Sequence, residues 1–521
     1  MTDFLVKIDR SSVPAKFTFP DPFNVAVPFI DRHIQENRGE QIAIECANET
    51  VTYGVLCEKV NKCGNALLNQ GIAPGERLMM IVKDTPAFFY LFWGAIKAGI
   101  IPVPINTLLR ANDYTFMIEK TACQALCYSP EYEEEVELAL TAARHKPPSI
   151  LVEGSSTNKT LLLETLMESA LPTLSPFPAT AQDDCFWLFS SGSTGRPKAA
   201  VHRHRDMVVT SELYGVGCLK ITEDDIFYSA AKLFFAYGLG NAMTLPLWAG
   251  ARVILDSRKP TPDITFANIY RYRPSLYFGV PTLYAALLNT YDHADEKPDL
   301  TSLRACVSAG EALPANILHQ WQRNFGIDII DGIGSTEALH IFITNHIGAV
   351  VPGASGVLVP GYQARILDEE DKEMPPGQVG RLLIKGPSIA GYYWEEPERT
   401  AQTMKGEWLE TGDTYFQNDD GVFVYCGRND DMMKVGGIWC SPFEIEAKLM
   451  EHPAVLEAAV VARTDESDLT KPAAFVALKN PETASESLKN DLISHIKSNL
   501  APYKFPRWLT FIDVLPKTAT P

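Results

Sequence analysis

The chain has 521 residues, too many for one compact core, so two or more domains with sizeable interiors are expected. Hydrophobic residues make up 46% and charged ones 21%, the balance of an ordinary globular chain rather than a disordered or fibrous one. A net charge of -18 argues against a nucleic-acid footprint or a polybasic membrane contact, so an anionic ligand has to be met by local donors.

The first residues, Met1-Thr2-Asp3-Phe4-Leu5-Val6-Lys7, contain neither a basic n-region nor an apolar h-region, so export is not expected and a cytoplasmic location is. From Val51 to Ile105 helices and strands alternate. A helical stretch runs through Val60 to Asn69, a strand over Arg77 to Val82, and a helix near Pro86 to Ala98, with Thr85 as N-cap, Pro86 at the first helical position and Gly99 past the end. Ile100 to Ile105 reads as the next strand. The apolar segment Phe88 to Ile105 holds Lys97, Pro102 and Pro104, so it reads as a buried helix leading into a strand, not as a membrane span. This alternation predicts a mostly parallel sheet covered by helices.

Cys185-Phe186-Trp187-Leu188-Phe189 reads as a buried strand ending in the turn Ser190-Ser191-Gly192-Ser193-Thr194-Gly195-Arg196-Pro197-Lys198. Its glycines, hydroxyls, peptide N–H groups and terminal lysine suit polyphosphate oxygens. Pro197 before Lys198, and a strand rather than a helix at Ala199-Ala200-Val201, speak against a Walker A loop. A plain Ser/Gly surface turn is the alternative.

A second alternation spans Asp225 to Asp331, with short strands at Ala251 to Leu255, Leu276 to Val280 and Ala305 to Ala309. From Val357 to Val424 the texture becomes short strands with frequent Gly and Pro, as in a small antiparallel unit. After Arg428, the segments Phe443 to Glu451, Val455 to Val461, Ala473 to Leu478 and Ser485 to Leu500 suggest a compact α+β tail. The predicted fold is thus α/β: residues 1–428 form a large N-terminal part of two α/β subdomains plus a small β subdomain, and residues 429–521 a C-terminal α+β domain. Ten cysteines without a CxxC pair read as reduced, mostly buried thiols rather than disulfides or zinc ligands.

Four further stretches combine side chains useful to one nucleotide site. Ser308-Ala309-Gly310-Glu311-Ala312 follows a strand and offers backbone to a purine; Asp331-Gly332-Ile333-Gly334-Ser335-Thr336-Glu337 sets glycines beside a hydroxyl and a carboxylate. Thr411-Gly412-Asp413 offers a carboxylate to ribose hydroxyls, and Gly427 to Gly437 is a charged, glycine-flanked hinge candidate. Taken singly, Glu337 could be a helix N-terminal carboxylate, Asp413 a turn residue, and Arg428 with Asp430 a solvated linker pair.

In this order, and over nearly the whole chain from about Phe23, the stretches resemble the adenylate-forming superfamily of acyl- and aryl-CoA ligases, adenylation domains and luciferases. The resemblance implies an active site between a large N-terminal portion and a mobile C-terminal domain hinged at Asp430. It implies ATP and coenzyme A as substrates, with Mg²⁺. Ser190, Ser191, Gly192, Ser193, Thr194, Gly195 and Lys198 would hold the β- and γ-phosphates, Thr336 the α-phosphate, and Glu337 the metal. Lys198, Thr336 and Glu337 would be the catalytic set. Ala309, Gly310, Glu311, Ala312, Asp331, Gly332, Ile333, Gly334 and Ser335 would line the adenosine, with Asp413 and Arg428 at its ribose. Lys434, Gly436 and Gly437 would face the CoA channel.

Lys232 to Gly240 and Asp331 to Phe342, with Asp430 to Val435 and Ser441 to Glu446, look most like benzoate-CoA ligases. On that resemblance Phe235, Ala236, Tyr237, Gly334, His340 and Ile341 surround a flat ring, and the function implied is ATP-dependent conversion of benzoate through benzoyl-AMP to benzoyl-CoA. Amino-acid-activating relatives place an aspartate in the first segment; here it is apolar and aromatic, so an α-ammonium would be desolvated without a partner. For His340 a core histidine on a helix is the alternative. Hydroxybenzoate, aminobenzoate or cyclohexane-type acids stay open as substrates, because an apolar pocket rejects a hydroxyl weakly. A non-catalytic acyl-adenylate-binding relative and a homodimer stay open too. Relatives continue past Leu515-Pro516-Lys517-Thr518-Ala519-Thr520 into a Gly-Lys segment whose lysine serves adenylation. Here Pro521 follows, so a shortened tail or an impaired first half-reaction is expected, and that role is not given to Lys517.

Overall fold

The helix Pro86–Lys97 shows how the first sheet is covered. Proline occupies its first turn, and every residue except Ala87 is buried, so the helix packs on all sides. Its one charge, Lys97, is satisfied internally: Nζ donates to Asp31 Oδ1 at 2.6 Å and to Asn61 Oδ1 at 2.7 Å. Asn61 lies on the helix Tyr53–Asn69, which starts earlier than the expected Val60 because extended Thr52 caps it, its Oγ1 accepting from Val55 N. Beneath lies a five-stranded parallel sheet in the order Ile101–Pro104, Arg77–Ile81, Ala125–Tyr128, Ser149–Leu151, Leu161–Leu162.

The computed structural model describes residues 4–154, 160–190, 197–429, 431–435, 438–465 and 469–516. A second, nine-stranded sheet has six parallel strands at its centre: Ile329–Gly334, Ala305–Ser308, Leu276–Gly279, Ile226–Ser229, Arg252–Ile254 and Ile42–Glu45. Antiparallel strands close both margins, Ile341–Thr344 with Val357–Leu358 on one side and Thr50–Thr52 on the other. Phe29 joins the helical layers of the two large sheets, stacking on Trp93 at 5.0 Å and meeting Trp248 at 5.2 Å.

Between these layers the strand Asp184–Ser190 turns back into Lys198–Arg203, and Tyr392–Tyr393 adds a third antiparallel strand. A small antiparallel sheet follows, built from Gln363–Leu367, Gly380–Lys385, Trp408–Gln417, Met404–Lys405 and Phe423–Arg428. The C-terminal part packs helices Pro442–Met450 and Glu486–Asn499 with a three-stranded sheet of Val455–Thr464, Thr470–Leu478 and Trp508–Phe511. It meets the small sheet through Tyr425 and Phe443, whose rings lie 5.3 Å apart edge to face. All ten cysteines are free thiols, and eight are buried. Among the described residues no helix is long and apolar enough to cross a membrane.

Candidate active site

The hairpin of Asp184–Ser190 and Lys198–Arg203 pairs Ser190 directly with Lys198, so both side chains leave the same end of the sheet. They converge on one carboxylate. Glu337 Oε1 accepts from Ser190 Oγ at 2.9 Å and from Tyr393 Oη at 2.8 Å, and lies 3.1 Å from Lys198 Nζ. Lys198 Nζ also donates to Tyr393 Oη at 2.6 Å and sits 4.3 Å from the centre of its ring. Burial is the largest influence on the Glu337 carboxyl and pushes it up, but Lys198, Tyr393 and Ser190 together outweigh burial and hold it below its ordinary value. Burial and the adjacent carboxylate drive the Tyr393 hydroxyl far up, so it stays a proton donor.

Glu337 is not at a helix N-terminus. It lies in the turn between Ile329–Gly334 and Ile341–Thr344, where Gly334 pairs antiparallel with Ile341. The β-branched and aromatic run Ile341–Thr344 after His340 takes a strand, which leaves no room for a helix. Thr336 O accepts from His202 Nε2 at 2.8 Å, and Nδ1 of that buried ring faces Asp206 Oδ2 at 3.3 Å. Ser335 Oγ accepts from Ala338 N at 3.1 Å and tightens the same turn.

Asp331 and Ser308 are register neighbours on adjacent parallel strands, which brings Gly332 and Ile333 beside the Ala309 to Ala312 stretch. Ala309 is buried, Gly310 is left-handed with φ +94°, and Glu311 is exposed, so the chain turns outward there. Burial holds the Asp331 carboxyl well above its ordinary value. Asp413 and Arg428 are also register partners, and Arg428 Nη1 donates to Asp413 Oδ1 at 2.8 Å. Burial raises the Asp413 carboxyl against the opposing pull of Arg428. The Arg428 side chain remains 54% exposed, and Nη1 also reaches Thr411 O at 3.4 Å.

Of the residues expected to surround a ring, His340 is buried and precedes a strand rather than lying on a helix. Its ring lies 6.2 Å from Tyr237 and 4.9 Å from Tyr214. Tyr237 donates to Gly279 O at 3.2 Å and Val307 O at 3.1 Å. Ala236 and Ile341 are buried beside it in sequence and sheet, whereas half-buried Phe235 turns onto Phe234, ring centres 4.5 Å apart. A Cβ on Gly240 would come within 2.1 Å of His340 Cδ2, so only glycine lets this helical segment press on the imidazole. Ser191, Gly192, Ser193, Thr194, Gly195, Asp430, Gly436, Gly437 and Lys517 lie outside the described residues, as does the side chain of Lys434.

The description "AMP-binding enzyme" matches residues 30–394, and "AMP-binding enzyme C-terminal domain" matches residues 444–520. The chain belongs to the adenylate-forming, AMP-binding enzyme family. This AMP-binding enzyme is 45% identical over 514 residues to the benzoate–CoA ligase of Thauera aromatica, covering 98% of this chain and 97% of that one. It superposes with a TM-score of 0.89 and 42% identity on a benzoate CoA ligase from Burkholderia xenovorans LB400, covering 96% and 98% of the two chains. The anthranilate CoA ligase AuaEII in complex with anthranoyl-AMP gives a TM-score of 0.93 at 36% identity, covering 96% of each.

Sequence reasoning missed Tyr393, His202 with Asp206, and Asn241. The i,i+4 spacing Tyr237/Asn241 was an available signal, since such pairs share a helix face, whereas His202 lies at the end of a strand and meets Asp206 across the turn into the helix His204–Thr210. Tyr393 left no local signal.

Proposed function

We propose that the chain is an ATP-dependent aryl-CoA ligase that activates benzoate. The observation that carries this reading is the convergence of Ser190, Lys198 and Tyr393 on Glu337, in the same turn as the buried His340, whose ring lies 6.2 Å from that of Tyr237. The similarity to benzoate–CoA ligase along nearly the full chain supports it. A carboxylate oxygen attacks the α-phosphorus of ATP and pyrophosphate leaves; the CoA sulfur then attacks the acyl carbonyl and AMP leaves. Lys198 and Ser190, with the hydroxyl loop 191–195, hold the outer phosphates, Thr336 meets the α-phosphate, and Asp413 with Arg428 takes the ribose. Positioning and charge neutralisation supply the catalysis.

The site suits magnesium. Among the described residues no three His, Cys, Asp or Glu side chains gather into a metal cage, but an ion carried by nucleotide phosphates needs only one or two protein carboxylates. Glu337, ionised and buried, would hold it; when bound, the ion neutralises charge on the phosphates. We assign residues 1–428 to the N-terminal domain and 429–521 to a mobile C-terminal domain, with the hinge at Asp430 and the CoA channel at Lys434, Gly436 and Gly437. The cytoplasm, which supplies ATP and CoA, is the proposed setting.

The test is AMP release with ATP and CoA over benzoate, hydroxy- and aminobenzoates, cyclohexane carboxylates and short fatty acids. The reading requires benzoate to be turned over and short fatty acids to be poor; turnover of fatty acids alone would refute it.

A further inference from the structure

Arg32 is a half-buried cation with no carboxylate of its own among the described residues, and it lines a cavity. The cavity, about 220 Å³, lies between the strand Lys7–Asp9 and the helix Arg32–Gln35, bounded by Ile8, Arg10, Pro28, Arg32, Glu36 and Trp248. The Arg32 guanidinium stands 4.9 Å from the centre of a Trp248 ring, and its Nη2 donates to Trp248 O. Its Nε is buried without a partner, whereas Nη1 makes no hydrogen bond and keeps accessible surface. The carboxylates nearby are engaged elsewhere. Asp31 holds Lys97, Glu36 pairs with Arg38, and Glu212 takes Arg10 on both oxygens and Trp248 Nε1 as well. Burial, and next Arg38, lower the Arg32 guanidinium to about 10, so it stays charged at neutral pH. A cation desolvated in this way is costly until an anion meets it.

Arg10 supplies a second arm to the same cavity. Its Nε and Nη2 are fixed on Glu212 at 2.5 and 2.9 Å, which leaves Nη1 unbonded on a side chain that is 60% exposed. Guanidinium donors match the two oxygens of a carboxylate. Only Arg32 lacks a counter-charge, and Glu36 borders the cavity, so a second negative charge on a ligand would be repelled. A water's share of the liquid is ~30 Å³, so the space admits a short organic anion.

We propose that the cavity between Arg10 and Arg32 binds a small monocarboxylate, with Arg32 Nη1 and Arg10 Nη1 donating to its oxygens, at a site separate from the one around Glu337. None of the residues around the cavity takes part in the proposed adenylation, so the site does not depend on that reaction. The bound carboxylate neutralises Arg32 and ties the end of the N-terminal strand to the helix Arg32–Gln35.

The experiment is saturation-transfer NMR on the methyl protons of acetate, butyrate and methyl phosphate, titrated against the full chain at an ionic strength held constant with sodium chloride. Mildly alkaline pH gives methyl phosphate two charges, so it is the dianion of the set. Acetate and butyrate should show saturable transfer and bind more tightly than methyl phosphate. Arg32→Met, which keeps the stem and removes the cation, should weaken carboxylate binding by about tenfold or more. Arg10→Lys keeps a cation for Glu212 but loses the free arm, and should weaken it several-fold; being at an exposed position, it carries the test alone should Arg32→Met not fold. Absence of saturable transfer to either carboxylate overturns the proposal, and so does an affinity unchanged in either variant, which would place the anion elsewhere on the chain. Tighter binding of methyl phosphate that is lost in Arg32→Met overturns the choice of a monocarboxylate.

Discussion

Replacing Tyr393 by phenylalanine removes one oxygen from the centre of the site and little else. The ring that sits 4.3 Å from Lys198 Nζ is retained, so packing and the cation–π contact survive. Two hydrogen bonds to charged groups are lost, the one given to Glu337 at 2.8 Å and the one taken from Lys198 at 2.6 Å. The direct approach of Lys198 to Glu337 at 3.1 Å remains and offsets part of the loss, so we count one bond to a charged group, about 1.5–3 kcal/mol. Expressed wholly in the transition state, that is roughly tenfold to a hundredfold in kcat/KM for adenylate formation. ATP–pyrophosphate exchange with benzoate, titrated with magnesium, reads this step alone. Conversion of supplied benzoyl-AMP and CoA to the thioester should suffer much less, because no polyphosphate is then held. An unchanged exchange rate at every magnesium concentration would show that the hydroxyl does not organise Lys198 and Glu337.

Three further outcomes follow from the geometry. Ala236→Leu overpacks a buried position beside the proposed ring, which costs about 1–3 kcal/mol; kcat/KM for benzoate should fall while KM for ATP, measured in the same assay, holds. Gly240→Ala would push His340 from its place, and should lower benzoate turnover with AMP binding retained, as read by calorimetry. Burial and, less strongly, Asp431 push the Glu446 carboxyl up to about 7 against the pull of the Val460 N–H, so the folded state holds this proton more tightly than the unfolded chain. Its contribution to stability is therefore full below the ordinary value of 4.5 and lost as pH rises to about 7; thermal unfolding of Glu446→Gln against the parent across that window should show the difference.

Much of the fold was legible because its signals are local. Pro86 and Gly99 bracket a helix wherever they stand, and the short apolar runs at 276–279 and 305–308 are the near-continuous buried strands of a parallel sheet. Boundaries set by a cap or by a partner were harder. The capping of Thr52 on Val55 moved one helix start, and pairing to Thr470–Leu478 carried the strand from Val455 beyond Val461 to Thr464. The turn at Thr336 to His340 was open to two readings, since a carboxylate followed by Ala-Leu-His suits a helix opening as well as a strand-to-strand turn. Only the pairing of Gly334 with Ile341 decides between them.

The site divides the same way. Ser190, Lys198 and Glu337 could be nominated singly, because a hydroxyl, an ammonium and a carboxylate each imply chemistry by type. Their common partner could not. Tyr393 sits 195 residues from Lys198 and 56 from Glu337, in a segment of aromatic residues that reads as core. It reaches them because Tyr392–Tyr393 pairs with the strand that begins at Lys198, with Ala200 opposite Tyr393. Glu337 is held from the other side of the turn, where Ala390 N donates to its carbonyl. The backbone hydrogen bonds of Gly391 to Val201 and of Trp394 to Ala199 flank the tyrosine, so the hydroxyl's place follows from sheet register rather than from its own sequence neighbourhood. A residue whose function is conferred by register carries no signature in a single chain, and the strand of two residues that delivers it is too short to show a period.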